Sequence, residues 1–175
     1  MTPPFLRPRW LQHHLGAFGM TAALGLFGFA AVAPKCAPPP PPPPPIAQVA
    51  DVQESVVAAV NQYRAEAGLG PVTIDARLTG AAQSHANDIA ERQLLTHTGA
   101  DGSNAGARIT ARGYGWTTWA ENAAAGQQTA ADVMNSWVNS SGHAANMRNG
   151  AMVNIGVAAA QGSNGVTYWV MVLAA

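Results

Sequence analysis

The chain predicts an α+β domain, and three observations carry that reading. Two long segments with helical spacing come first, at about residues 51–68 and 75–93. Two β-rich runs come last, at 153–159 and 166–173. Between them, residues 116–124 mix aromatic and small residues in loose alternation, which reads as a strand lying between helices.

The first helix is expected from Asp51 to Gly68. Val52, Val56, Ala59, Tyr63 and Ala67 recur on one face, Asp51 suits its start and Gly68 its C-terminal cap. Asp75 is expected to cap a second helix running to about Gln93. Leu78, Ala82, His85 and Ile89 share its apolar stripe, which places His85 in packing. Leu94 and Leu95 are expected to lead the chain inward. Thr98–Asn104 is turn-rich, and a short helix over about Ala105–Arg112 ends at Gly113. Thr129 caps a helix of about Ala130–Asn139 with Val133, Met134 and Trp137 on its apolar face, and Ser140-Ser141-Gly142 break it. His143 then opens a short polar turn with Asn146. Gln161-Gly-Ser-Asn-Gly165 between the last two runs is a hairpin loop.

Three segments are expected from composition: 1–33 as a signal peptide or N-terminal membrane anchor, 34–49 as a proline-rich linker, and 50–175 as the folded domain. Arg7 and Arg9 precede nineteen uncharged residues, Leu15–Ala33. A positive flank, an apolar core and small residues at its end mark an export signal. The apolar run is also long enough to stay in a bilayer as an anchor of residues 15–33, with the domain outside. The chain is thus expected to be exported: extracellular, periplasmic or envelope-anchored, touching membrane only through this segment. Cys36 is the single cysteine, so no intramolecular disulfide forms. Lys35 beside it fits a lipoprotein signal poorly, and an unpaired linker thiol is the alternative. Pro38–Pro45 is an unbroken octaproline, a stiff polyproline II spacer of about 25 Å. It reads as a stalk, with a ligand for SH3-type domains as the other use.

After the prolines stand six Arg, no Lys and nine Asp or Glu. That acidic balance excludes nucleic acid as a partner, because such binding needs a basic footprint.

The chemistry lies in three polar breaks: His97 in Thr96-His-Thr-Gly99, Glu121 in Ala120-Glu-Asn122, and His143 in Ser140-Ser-Gly-His-Ala-Ala-Asn146. A carboxylate inside an apolar strand is costly unless bonded or neutralised, and His97 and His143 are its candidate partners. Two neutral imidazoles suit Zn²⁺ or another divalent cation, with Glu121 supporting. The same His97, Glu121 and His143 are candidates for general acid–base catalysis. No serine or cysteine nucleophile is signalled.

The order of these motifs resembles the CAP superfamily of cysteine-rich secretory proteins, antigen 5 and PR-1, in its bacterial SCP-like extracellular form. The pattern is T-H-T-G, Gly113-Tyr114, A-E-N, Trp137-x-x-Ser140-x-Gly142-His143-x-x-Asn146, Ile155-Gly-Val157 and Tyr168-Trp169, opened by Asn61-x-x-Arg64 and Gly68-Leu-Gly-Pro71. The resemblance implies a three-layer α-β-α sandwich. It also implies a cleft of two His and two Glu in the animal and plant branches. His97, Glu121 and His143 match three of those four, and Ser140 stands where the remaining Glu falls. Lipid-binding members imply a groove away from that cleft; Tyr114, Trp116, Trp119 and Trp169 are candidates to line it and equally good candidates for the core. Two functions follow as expectations. The first is a monomeric, exported binding or interaction module for a cell-envelope component, peptide or lipid, whose cleft takes a divalent metal. The second is a secreted, peptidase-like hydrolase using the same cleft.

Overall fold

The computed structural model describes the backbone of residues 46–175 and the side chains from residue 51. The leader, Cys36 and the octaproline lie outside the described residues. Among the described residues no helix is long and apolar enough to cross a membrane.

Five helices and four strands follow one another: α1 (Ile46–Glu66), β1 (Thr73–Ile74), α2 (Ala76–Arg92), α3 (Ala105–Ala111), β2 (Trp119–Ala125), α4 (Ala130–Val138), α5 (Ser141–Met147), β3 (Asn154–Gln161) and β4 (Thr167–Ala174). The strands form one sheet in the order β1-β3-β4-β2. β1 runs parallel to β3, and the β3-β4 and β4-β2 pairs are antiparallel.

β4 shows why there are three layers. Its side chains alternate between faces, as any strand's do. Trp169, Met171 and Leu173 join Val56, Val60, Val133, Trp137, Met147 and Ile155 in one core, so α1, α4 and α5 cover that face. Tyr168, Val170, Val172 and Ala174 join Leu78, Ala82, Ile89, Ile109 and Tyr114 in a second core, so α2 and α3 cover the other. The result is the expected α-β-α sandwich.

The helix signals work as their chemistry requires. Asp75 accepts from the Arg77 amide at 2.8 Å to cap α2. Thr129 and Asp132 form a reciprocal capping box at the start of α4. Gly68 lies at φ +72° just past α1.

Several expectations need correction. The first helix begins earlier, at Ile46 rather than Asp51. The polar turn expected after Ser140 is a short helix, α5. It escaped the pattern because Met147 is its one buried residue. Leu94 and Leu95 do not turn inward; they remain 52% and 49% exposed. Gln93, in the left-handed region at φ 51°, ends α2 and turns the chain along the surface. β1 went unnoticed because two residues carry no period.

Candidate functional site

β2 is an edge strand, and the site lies along its open side. Glu121 pairs with Val172 across the sheet, so its side chain goes to the face covered by α2 and α3. Asn122 pairs with Met171 and faces α5. One edge strand therefore presents polar groups to both helical layers.

Glu121 is buried, at 7% exposure. Its carboxylate is held on both oxygens. His97 Nδ1–H donates to Oε1 at 2.8 Å, and Arg108 Nη2 donates to Oε2 at 2.7 Å. A carboxylate only accepts, so the proton of a neutral His97 sits on Nδ1 and the lone pair on Nε2. The His97 ring itself is 62% exposed. Arg108 also donates to the carbonyls of His97 at 3.2 Å and Ser103 at 2.8 Å, which fixes the 97–103 loop over the carboxylate.

His85 stands behind this group. It is buried on the α2 stripe, as the packing reading expects, and its Nε2–H donates to the Thr96 carbonyl at 2.8 Å. It also comes within 3.8 Å of Glu121, too far for a hydrogen bond. Burial pushes its pKa below the ordinary histidine value; Glu121 opposes that and Arg108 adds to it.

The other flank belongs to α5. Asn122 donates to the His143 carbonyl at 3.1 Å. Asn146 donates to Asn122 Oδ1 at 2.8 Å and to the Glu121 carbonyl at 3.3 Å. These amides strap α5 to the edge of β2. His143 is half-buried, with Nδ1 enclosed and without a partner among the described residues. Burial lowers its pKa, and the nearby charge of His97 lowers it further.

The open space between the flanks is a cavity of about 310 Å³ lined by His97, Asn104, Ala105, Trp119, Ala120, Glu121 and Asn146. Glu121 and His97 are hydrogen-bonded to each other, whereas the His143 side chain bonds to neither of them among the described residues and does not line this cavity. Ser140 does not line this cavity. It is the N-cap residue of α5 and makes no side-chain cap bond. Arg108 is the residue the sequence analysis missed; its signal was a lone charge in the small, apolar run Ala105–Ala111. Of the four aromatics, Tyr114 and Trp169 are core, whereas Trp119 lines the cavity and Trp116 is 40% exposed.

Comparison with known proteins decides the family. The model of the cysteine-rich secretory protein family, CAP, matches residues 57–173. The chain belongs to the CAP family. An uncharacterised Bacillus subtilis protein, YkwD, is 30% identical over 109 residues, covering 62% of this chain and 42% of that protein. This CAP chain thus matches less than half the length of that relative. Among solved structures, an extracellular SCP-domain protein of Bacillus anthracis superposes with TM-score 0.65 at 19% identity, covering 72% of this chain and 41% of that one. An outer surface protein of Borrelia burgdorferi gives TM-score 0.64 at 22% identity, over 69% and 90%. At those identities the likeness establishes the CAP fold.

Proposed function

We propose that this CAP domain is an exported binding module whose cleft takes a divalent metal weakly through His97 and His143. Export rests on the charged-then-apolar leader, and relatives described as extracellular or outer-surface proteins support it. The observation that carries the metal reading is the 2.8 Å bond from His97 Nδ1 to Glu121. A carboxylate on one ring nitrogen fixes the tautomer and frees the other nitrogen, the arrangement metal-ligating histidines use.

The donor set limits the affinity. Among the described residues no group of three or more His, Cys, Asp or Glu is placed to hold a metal ion. Of the two imidazoles only His97 lines the cavity, so His143 would have to turn toward it to complete the pair, and the Arg108 charge beside Glu121 opposes a cation. Such a metal, when bound, supplies Lewis acidity; His97 and His143 hold it and Glu121 orients His97. A hydrolase reading would have to use His97 rather than Glu121 as its base, because both Glu121 oxygens are already engaged by Arg108 and His97. That leaves the carboxylate poorly placed to take a proton from a substrate or water.

Calorimetric titration of the purified chain with ZnCl₂ tests this. Binding is expected at pH 7.5 and weaker binding at pH 5.5, because protons compete for imidazole nitrogens whose ordinary pKa is about 6.5. His97→Ala and His143→Ala should each abolish it, and Glu121→Gln should weaken it by about 10–100-fold. No binding by the wild-type chain, or equal affinity in His143→Ala, overturns the proposal.

A further inference from the structure

We propose that the ligand of this cleft is an uncharged oligosaccharide, held against Trp119 with its hydroxyls on the cleft amides. The inference rests on the binding-module reading above and names the ligand class for it.

Charge comes first. The one carboxylate lining the cleft, Glu121, is neutralised by Arg108. Arg108 is itself buried, with its two terminal nitrogens committed to Ser103, His97 and Glu121. No unpaired fixed charge lines the cavity. A phosphate, an acidic peptide or an ammonium group would lose water there without gaining a counter-charge, which is costly. A neutral ligand meets no such penalty.

The wall is aromatic and held rigid. Trp119 lines the cavity, and Trp116 packs edge-on against it with centroids 6.3 Å apart and planes at 87°. Trp116 Nε1 donates to Thr110 Oγ1 at 3.0 Å and to the Gly106 carbonyl at 3.2 Å. Gly106 leaves room for both rings: a Cβ there would stand 2.5 Å from Trp119 Nε1 and 3.0 Å from Trp116 Cζ2. An aromatic surface positioned before binding loses little freedom on binding, which favours affinity. The C–H face of a pyranose ring is the apolar, flat partner for it.

The amides supply the polar half. Asn104 Oδ1 accepts from the Ala107 amide at 2.9 Å, so its NH₂ group remains without a partner among the described residues. Asn146 uses its NH₂ on Glu121 and Asn122, which leaves Oδ1 as an acceptor. Each amide is oriented by one end and offers the other. One fixed donor and one fixed acceptor across a small cavity complement a sugar, whose hydroxyls do both. A lipid would leave these groups unpaired. A peptide adding to β2 as a strand would first have to displace Asn146 from the Glu121 carbonyl.

The probes are chitohexaose and cellohexaose, with an uncharged hexapeptide as comparison. They are titrated into the purified chain in EDTA and followed by tryptophan fluorescence and calorimetry. Saturable binding of at least one glycan is expected. Trp119→Leu, which keeps apolar volume without a ring, should weaken it by about tenfold or more. Trp119→Phe should restore most of it; because Trp119 also packs against the second core, both variants are titrated well below their own melting points so that only folded chain is compared. Saturation by neither glycan, binding of the peptide alone, or equal affinity in wild type and Trp119→Leu overturns the assignment. Because EDTA is present, a failed zinc titration sinks the metal reading and leaves this one standing, and the reverse also holds.

Discussion

Two arginines, neither of them marked by the three polar breaks, hold the site in place. Arg64 is 1% exposed, yet no carboxylate meets it among the described residues. It donates to the carbonyls of Gly70, Met147, Asn149 and Met152, tying α1 to the far end of α5. Arg108 does the same for the 97–103 loop and closes on Glu121. Removing one member of a buried pair strands the other, which costs about 3–5 kcal/mol. Arg108→Met should therefore lower unfolding free energy by about that much in urea titrations. The double variant Arg108→Met/Glu121→Leu should recover most of the loss, since a packed apolar pair replaces the ions. A single variant within about 1 kcal/mol of wild type would show that the pair is only surface-like. The sequence does indicate that Glu121 needs a partner, because it sits in an apolar strand, and His97 is that partner. It does not indicate Arg108 or the fourfold role of Arg64, because an arginine on a helix ordinarily reads as solvated.

At the scale of elements, legibility follows the strength of the period. α2 and α4 have a buried stripe and a side-chain cap, and their bounds come out within a residue or so of those expected. α5 has neither, and it reads as a turn. The hairpin of β3 and β4 is legible from its β-rich runs and the Gly–Asn loop, and its register runs without a break from Asn154↔Ala174 to Gln161↔Thr167. What the sequence does not disclose is how closely α2 crosses β3. Gly156, in the Ile-Gly-Val motif, lies under the first turn of α2. A Cβ built there would stand 2.1 Å from Thr79 N and 2.2 Å from Leu78 C, both backbone atoms that cannot swing away. Gly156→Ala is thus expected to force the layers apart and to destabilise by about 1–3 kcal/mol or more. Its midpoint in urea decides this; an unchanged midpoint would mean the α2–β3 contact yields freely.

For the whole molecule, acid should be felt in two stages. Burial, first of all, depresses the pKa of both His85 and His143 in the fold. A histidine with a depressed folded pKa binds its proton more readily once unfolded. Its contribution to stability is therefore complete above the unfolded value of about 6.5 and is lost as pH falls through that value toward the folded one. The carboxylates act lower. For Asp88, burial works to raise the pKa, but the Arg92 guanidinium and the Ala100 amide outweigh it and the net shift is downward. The Arg77 side chain lowers Asp75, and the Ser103 hydroxyl lowers Asp101. Their share persists until pH falls through about 3.9, the unfolded aspartate value, and is lost below it. Both histidines lie near the Glu121 group, so the first stage reports on the site; in the second, Asp88 and Asp101 report on the 97–103 loop and Asp75 on the start of α2. Urea midpoints should fall between pH 7.5 and pH 5.0 and fall further below pH 4. His85→Asn is less stable throughout, but its midpoint should change less over the first interval, since one of the two responsible imidazoles is gone. A wild-type midpoint that is flat from pH 7.5 to pH 5.0 would mean that neither histidine is held neutral by the fold.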